Sequence, residues 1–257
     1  MKIKRKILFF TVVTVFILFS FTVATAIMMP VNENAENNSK AAEKSSVFGE
    51  NGGLEKMVIE LYVKDTKSAK PPSPPGKTET CYDLLGVTWK TLPVDYTINP
   101  TNPEGLTTEF VLSTIYASAE TWDAETSAEL FNNYYTVDTN AHYGTLDGEN
   151  VIEFGDNENS NIIGVTSIWY SRRSKEIVEF DIQFNTDFEW GDATVDPSKM
   201  DLMNIAVHEL GHAVGMGDVY STTCSEVTMY GYSTEGEIIK RTLEEPDIIG
   251  LQTMYGE

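Results

Sequence analysis

The stretch HELGHAVGMGD, His208 to Asp218, sets two imidazoles, an intervening carboxylate and a closing carboxylate in one short run. The chain has only three histidines, and two of them are here. On a helix, His208 and His212 lie one turn apart and project from the same face. They would present two nitrogens to one small cation. Glu209 would point beside that cation, where a carboxylate can accept a proton from activated water. Zinc suits two nitrogens, one further ligand and one open position. Gly215 would end the helix in a left-handed backbone and turn the chain back. Asp218 would then arrive as the third ligand, since a carboxylate oxygen binds zinc at ~2.0–2.2 Å. The chemistry implied is hydrolysis of a peptide bond, with Glu209 as general base and later as donor to the leaving amine. A His-Glu-x-x-His match alone also occurs on ordinary helices, so the surrounding features carry weight.

Those features begin with the elements that must hold the motif. Ser198 to Val214 reads as the helix that carries it, with Ser198 and Asp201 as a capping pair. The preceding IVEFDIQFN alternates cleanly, with Val178, Phe180, Ile182 and Phe184 on one face and Glu179, Asp181 and Gln183 on the other. IIGVTSIWY and NVIEF read as further strands, and VTWKTLPVDYTI as strand material broken by proline. GLTTEFVLSTIYASAETWDAET reads as a helix with Val111, Ile115, Ala119 and Trp122 as its apolar stripe. Thr107 or Thr108 can cap it. EEPDIIGLQTMYGE reads as a closing helix, with Pro246 in its first turn, Gly256 at its end and Ile248, Leu251 and Tyr255 buried. Strands framed by early and late helices give an α/β (α+β) domain over residues 81–257, a twisted mixed sheet with an active-site helix and a C-terminal helix.

The rest of the chain sets the context. MKIKRK precedes an uncharged apolar run from Ile7 to Met29, so residues 1–29 are either a signal peptide or a membrane anchor. Ala24-Thr25-Ala26 favours cleavage. Both readings place the remainder outside the cytoplasm, either secreted or anchored to the outer face of the membrane by residues 7–29. Residues 30–80 form a low-complexity spacer, with LEKMVIELYV at 54–63 able to make one strand and KDTKSAKPPSPPGKT forming a linker. Thirty-nine acidic residues against eighteen basic give a net charge of -21. That balance argues against nucleic acid as a partner and attracts cations. Cys81 and Cys224 are the only cysteines, which in an exported chain suggests one disulfide, the other reading being two thiols.

HELGHAVGMGD followed by SEVTMYGY resembles the metzincin clan of zinc peptidases. VTMYG, EPDIIGLQTMYG and IVEFDIQFNTDFEW make the resemblance closest to the matrixins, over about residues 81–257. It implies one catalytic zinc, protein or peptide substrates, and a turn at Met229 beneath the metal. IIGVTSIWY would be an edge strand along which an extended substrate pairs. Matrixins usually carry a third histidine where this chain has Asp218. Their structural zinc site needs histidines of which only His142 remains, so His142 reads as a surface residue. KTETCYDLL around Cys81 does not match the thiol latch of matrixin zymogens. Tyr232, two residues after Met229, could approach the metal and steady an oxyanion, as in astacin-like relatives; a buried tyrosine is the plainer reading. LDGEN and FGDNENSN could bind calcium or be solvated turns, and turns are favoured. The function these features predict is an exported zinc endopeptidase. The alternative is a non-catalytic zinc-fold binding module on a membrane stalk, against which the presence of Glu209 argues.

Overall fold

The computed structural model describes residues 53–64 and 80–257. The signal or anchor at 1–29, the spacer up to residue 52 and the proline-rich run lie outside the described residues. Among the described residues no helix is long and apolar enough to cross a membrane.

In chain order the strands are β1 (Leu54–Val63), β2 (Asp83–Leu84), β3 (Thr97–Ile98), β4 (Thr136–Val137), β5 (Val151–Gly155), β6 (Ile162–Ser171), β7 (Ile177–Asn185), β8 (Trp190–Gly191), β9 (Met200–Asp201), β10 (Met216–Gly217) and β11 (Tyr232–Ser233). The α-helices are α1 (Thr108–Asp123), α2 (Leu202–Ala213) and α3 (Glu245–Tyr255). Seven strands form one mixed sheet in the order β11-β1-β6-β7-β5-β3-β4. β6 runs antiparallel to both of its neighbours, while the remaining pairs are parallel. The pairs β2–β10 and β8–β9 are separate two-stranded ribbons.

One face of the sheet carries α1 and α2. Val111, Ile115, Ala119 and Trp122 are all buried on α1, as their spacing predicts. The Thr107 side chain accepts from the Phe110 amide as the cap. Trp122 reaches α2, where its indole N–H donates to the Val207 carbonyl at 2.8 Å. Phe180 and Phe184 point into the same layer, against Phe131 and Trp190.

The opposite face of β7 is also closed, which the alternation alone does not reveal. Glu179 and Asp181 are fully buried. They accept backbone N–H groups from the loop at 144–151: Gly144 to Asp181 at 2.7 Å, Val151 to Asp181 at 3.1 Å, and Gly148 to Glu179. Part of the acidity is therefore spent inside the fold, holding a loop that covers the sheet. The LDGEN segment forms part of that loop, with a bend at Asp147–Gly148.

The expected start of the active-site helix needs correction. α2 begins at Leu202, with Asp201 as its cap accepting from the Asn204 amide at 2.8 Å. Ser198 instead bonds Asp196 in a turn, and Met200–Asp201 pair with Trp190–Gly191 as a strand. Arg241 bonds the Asp201 carboxylate and fixes it at this junction. α3 starts and ends where proline and glycine predict. Its most deeply buried positions are Asp247, Gly250 and Leu251, while Ile248 and Tyr255 are half-buried. Cys81 and Cys224 form the disulfide, across a separation of 143 residues.

Candidate active site

α2 carries His208 and His212 one turn apart and fully buried. Their Nε2 atoms face each other at 3.2 Å. Each Nδ1 is committed elsewhere, His208 to the Thr228 carbonyl at 2.7 Å and His212 to the Met216 carbonyl at 2.9 Å. A carbonyl only accepts, so both Nδ1 atoms carry the proton and the Nε2 atoms turn their lone pairs toward each other.

The chain then delivers a third donor. α2 stops at Ala213, and Gly215 takes φ +104°, which a side chain would resist; a β-carbon there would also strike the Val87 carbonyl. Met216–Gly217 pair with Asp83–Leu84, and Asp218 follows. Its Oδ1 lies 3.3 Å from His208 Nε2 and 3.5 Å from His212 Nε2, buried and outside hydrogen-bond geometry. Three electron-rich atoms at such distances repel one another unless a positive charge sits among them. Tetrahedral zinc with bonds of ~2.0–2.1 Å sets neighbouring donors about 3.3 Å apart. The three spacings bracket that value, so these residues fit zinc. The field of the site favours a positive charge. Burial works to lower the His212 imidazole, but the charges of Asp218 and Glu209 and the bond to the Met216 carbonyl overcome it and push it up to about 9. Burial works to raise Asp218, and the two imidazoles hold it below the usual carboxylate range.

Glu209 leaves the same helix toward β6. The Thr166 hydroxyl donates to its Oε2 at 2.6 Å, while Oε1 is buried and free of hydrogen bonds. Gly164 of β6 comes so close that a β-carbon there would collide with Oε1. Burial pushes the Glu209 carboxyl up, against the opposing pull of His208 and His212.

Met229 is fully buried, and Gly211 of α2 packs directly on its sulfur. Asp247, in the first turn of α3, accepts from the amides of Thr228 at 2.9 Å, Met229 at 3.2 Å and Glu244 at 3.0 Å. It thereby fixes the turn whose Thr228 carbonyl holds His208. Tyr232 lies on β11 with its ring against Tyr220 and Tyr230. The hydroxyl that bonds the site carboxylate belongs to Tyr220, which donates to Asp218 Oδ2 at 2.9 Å. His142 stands apart, with 74% of its side chain exposed and Nδ1 3.4 Å from Glu153.

The motif thus brings His208, His212, Asp218 and Glu209 together over Met229. Thr166, Tyr220 and Asp247 are additions that the motif does not announce. β6 departs from expectation in another way. Its outer edge is paired along its length by β1, because LEKMVIELYV supplies a β-branched and aromatic strand long enough to cover it.

The sequence pattern of the family described as Matrixin matches residues 88–256. Stromelysin-1 of Equus caballus is 35% identical over 77 residues, 30% of this chain and 15% of that protein. Stromelysin-1 of Mus musculus is 32% identical over the same length and shares. Matrix metalloproteinase-25 of Mus musculus is 23% identical over 233 residues, 87% of this chain and 36% of that protein. This chain therefore spans well under half the length of these relatives. The matched residues take in α1, the sheet from β3 to β7, the helix bearing His208 and His212, the turn at Met229 and α3, and the chain belongs to the matrixin family.

Proposed function

We propose that this chain is an exported zinc-dependent endopeptidase, with residues 81–257 as its catalytic domain. His208, His212 and Asp218 hold one zinc ion, and Glu209 is the general base. The observation that carries this reading is the convergence of three donor atoms at 3.2, 3.3 and 3.5 Å beside a carboxylate oxygen without a partner. Zinc, when bound, supplies Lewis acidity toward a substrate carbonyl and a water molecule.

The remaining work falls to the chain's own residues. Thr166 anchors one oxygen of Glu209 and leaves Oε1 to take the water's proton. Burial raises the Glu209 carboxyl, which makes it a better proton acceptor than an exposed carboxylate. Thr228 and Met216 orient the imidazoles through their Nδ1 atoms, and Tyr220 steadies Asp218. Export is supported by the N-terminal apolar run and by a disulfide, a bond that persists in oxidising compartments.

The test compares the full chain with Glu209→Gln. Elemental analysis should find one zinc per chain in both. Chelator-sensitive hydrolysis of an unfolded protein should fall by about 100-fold or more in the variant. Zinc in both with equal hydrolysis would remove Glu209 from the chemistry. Absence of zinc would remove the metal site.

A further inference from the structure

Asp218 stands where two segments far apart in the chain meet. The backbone before it, Met216–Gly217, pairs with Asp83–Leu84, and the Leu85 amide donates to the Gly215 carbonyl at 2.9 Å. The backbone after it is tied to the turn beneath the site. There the Val219 amide donates to the Met229 carbonyl at 2.9 Å, and the Gly231 amide to the Val219 carbonyl at 3.0 Å. Between those ties runs the loop from Tyr220 to Thr228, with one turn of 3-10 helix at Thr222–Cys224. Cys224, Val227 and Tyr230 form a small apolar cluster apart from the main core, packed against Cys81, Val219 and Tyr232.

The Cys81–Cys224 bond runs through that cluster. The segment it anchors meets the site through a ribbon of two residues per strand, and an isolated two-stranded ribbon is marginal in water. The covalent bond therefore does much of the holding of 81–85 against 215–218. Cys81 is half-buried, whereas Cys224 is 3% exposed. A thiolate arriving from solvent thus meets the Cys81 sulfur first. Its attack forms a mixed disulfide with Cys81 and releases Cys224 as a thiolate, which takes a proton. The second thiol of a dithiol then displaces Cys81, and the dithiol leaves as its own disulfide. Two electrons and two protons have passed from the dithiol to the cystine, which ends as two thiols.

We infer that the disulfide and the metal site are one coupled unit: reduction of Cys81–Cys224 by a dithiol lowers zinc affinity, and bound zinc in turn protects the disulfide. This inference rests on the metal site proposed above and adds its redox regulation. Reduction reaches two of the three donors. Asp218, the one anionic donor, directly follows the ribbon, and Met216, whose carbonyl orients His212, lies on it. His208 keeps its support, because Asp247 holds the turn at Thr228. Losing outer support of this kind weakens metal binding by about 10–100-fold. Linkage makes the two effects equal: the factor that reduction takes from zinc binding is the factor that zinc takes from the equilibrium constant for reduction.

The test uses the full chain, either oxidised or reduced with a phosphine that is then removed under nitrogen. Competition with a chromophoric chelator should show zinc bound about 10–100-fold more weakly by the reduced chain. In a second measurement the chain is equilibrated in glutathione buffers, with and without saturating free zinc, and its thiols are counted by maleimide labelling. Zinc should move the midpoint to a more negative potential by about 30–60 mV, which is the same fold-change at ~30 mV per tenfold. His208→Ala, which lacks one donor, should show no such shift. Equal zinc affinity in the two forms with an unmoved midpoint overturns the inference and leaves the disulfide a brace for stability alone. A midpoint moved to a more positive potential means that zinc prefers the freed thiols, and overturns it as well. No zinc in either form defeats the metal site and the inference with it. Coupled zinc and disulfide, with no hydrolysis of an unfolded protein in any sample, keeps the inference and defeats the peptidase reading instead.

Discussion

The Tyr220 hydroxyl donates to Asp218 Oδ2 at 2.9 Å, while Oδ1 of the same carboxylate faces the two imidazoles. A carboxylate can rotate and offer either oxygen, and this bond fixes which one is offered. Burial, and then the Asp218 charge, raise the phenol, which favours Tyr220 as a donor. Tyr220→Phe should weaken zinc binding by roughly 10–100-fold, the usual effect of losing an outer partner of a metal ligand. Competition with a chromophoric chelator measures it. An unchanged affinity would mean that packing alone orients Asp218.

Asp247 joins the closing helix to the turn beneath the site by accepting three backbone amides. Asp247→Ala leaves those buried donors unpaired, at about 1–3 kcal/mol each. Denaturant unfolding should show a loss of several kcal/mol. Zinc binding should weaken too, because the Thr228 carbonyl that orients His208 belongs to the released turn.

The Cys81–Cys224 bond ties the segment before β2 to the loop between Asp218 and Met229. β2 in turn pairs with β10, one residue before Asp218. Replacing both cysteines by serine should cost about 2–5 kcal/mol. At ~2–4 °C per kcal/mol that is a fall in Tm of roughly 4–20 °C, measurable by calorimetry. Because the bond also braces the loop that carries Asp218, zinc should dissociate faster from the double variant.

Glu179 and Asp181 give the fold a pH dependence. Burial pushes Glu179 up to about 8 and Asp181 up to about 7, against the pull of the loop amides they accept. Both folded values lie above the ordinary carboxylate range, so the folded chain holds protons that the unfolded chain has released. Their contribution to stability is complete below about pH 4 and is lost as pH rises through 7 and 8. Melting at pH 6 and pH 9 should show lower stability at the higher pH. In Glu179→Gln the difference should shrink, and an undiminished difference would assign it to other groups.

How much was legible follows from how local each feature is. His208, His212 and Glu209 could be read because a helix places residues four apart on one face and the next residue beside them. Gly215 and Asp218 could be read because a glycine-terminated helix turns its chain back within a few residues. The α1 stripe, the Thr107 cap and the extents of β6 and β7 are equally short-range. The sequence places the helix start at Ser198 because two capping residues stand three apart, and only the pairing of Met200–Asp201 with β8 and the bond from Arg241 decide between them.

What the sequence determined by itself was the donor set, its spacing and the elements that carry it. Tertiary structure alone decided which residues support that set. Thr166 meets Glu209 across 43 positions, and Asp247 meets Met229 across 18. Leu61 meets Gly164 only because β1 chose the free edge of β6. A strand's own sequence fixes its period and its buried face, but not its neighbour, because the backbone groups that pair strands are the same at every residue. The partner is set by closing the chain over long separations, and that step placed β1 beside β6.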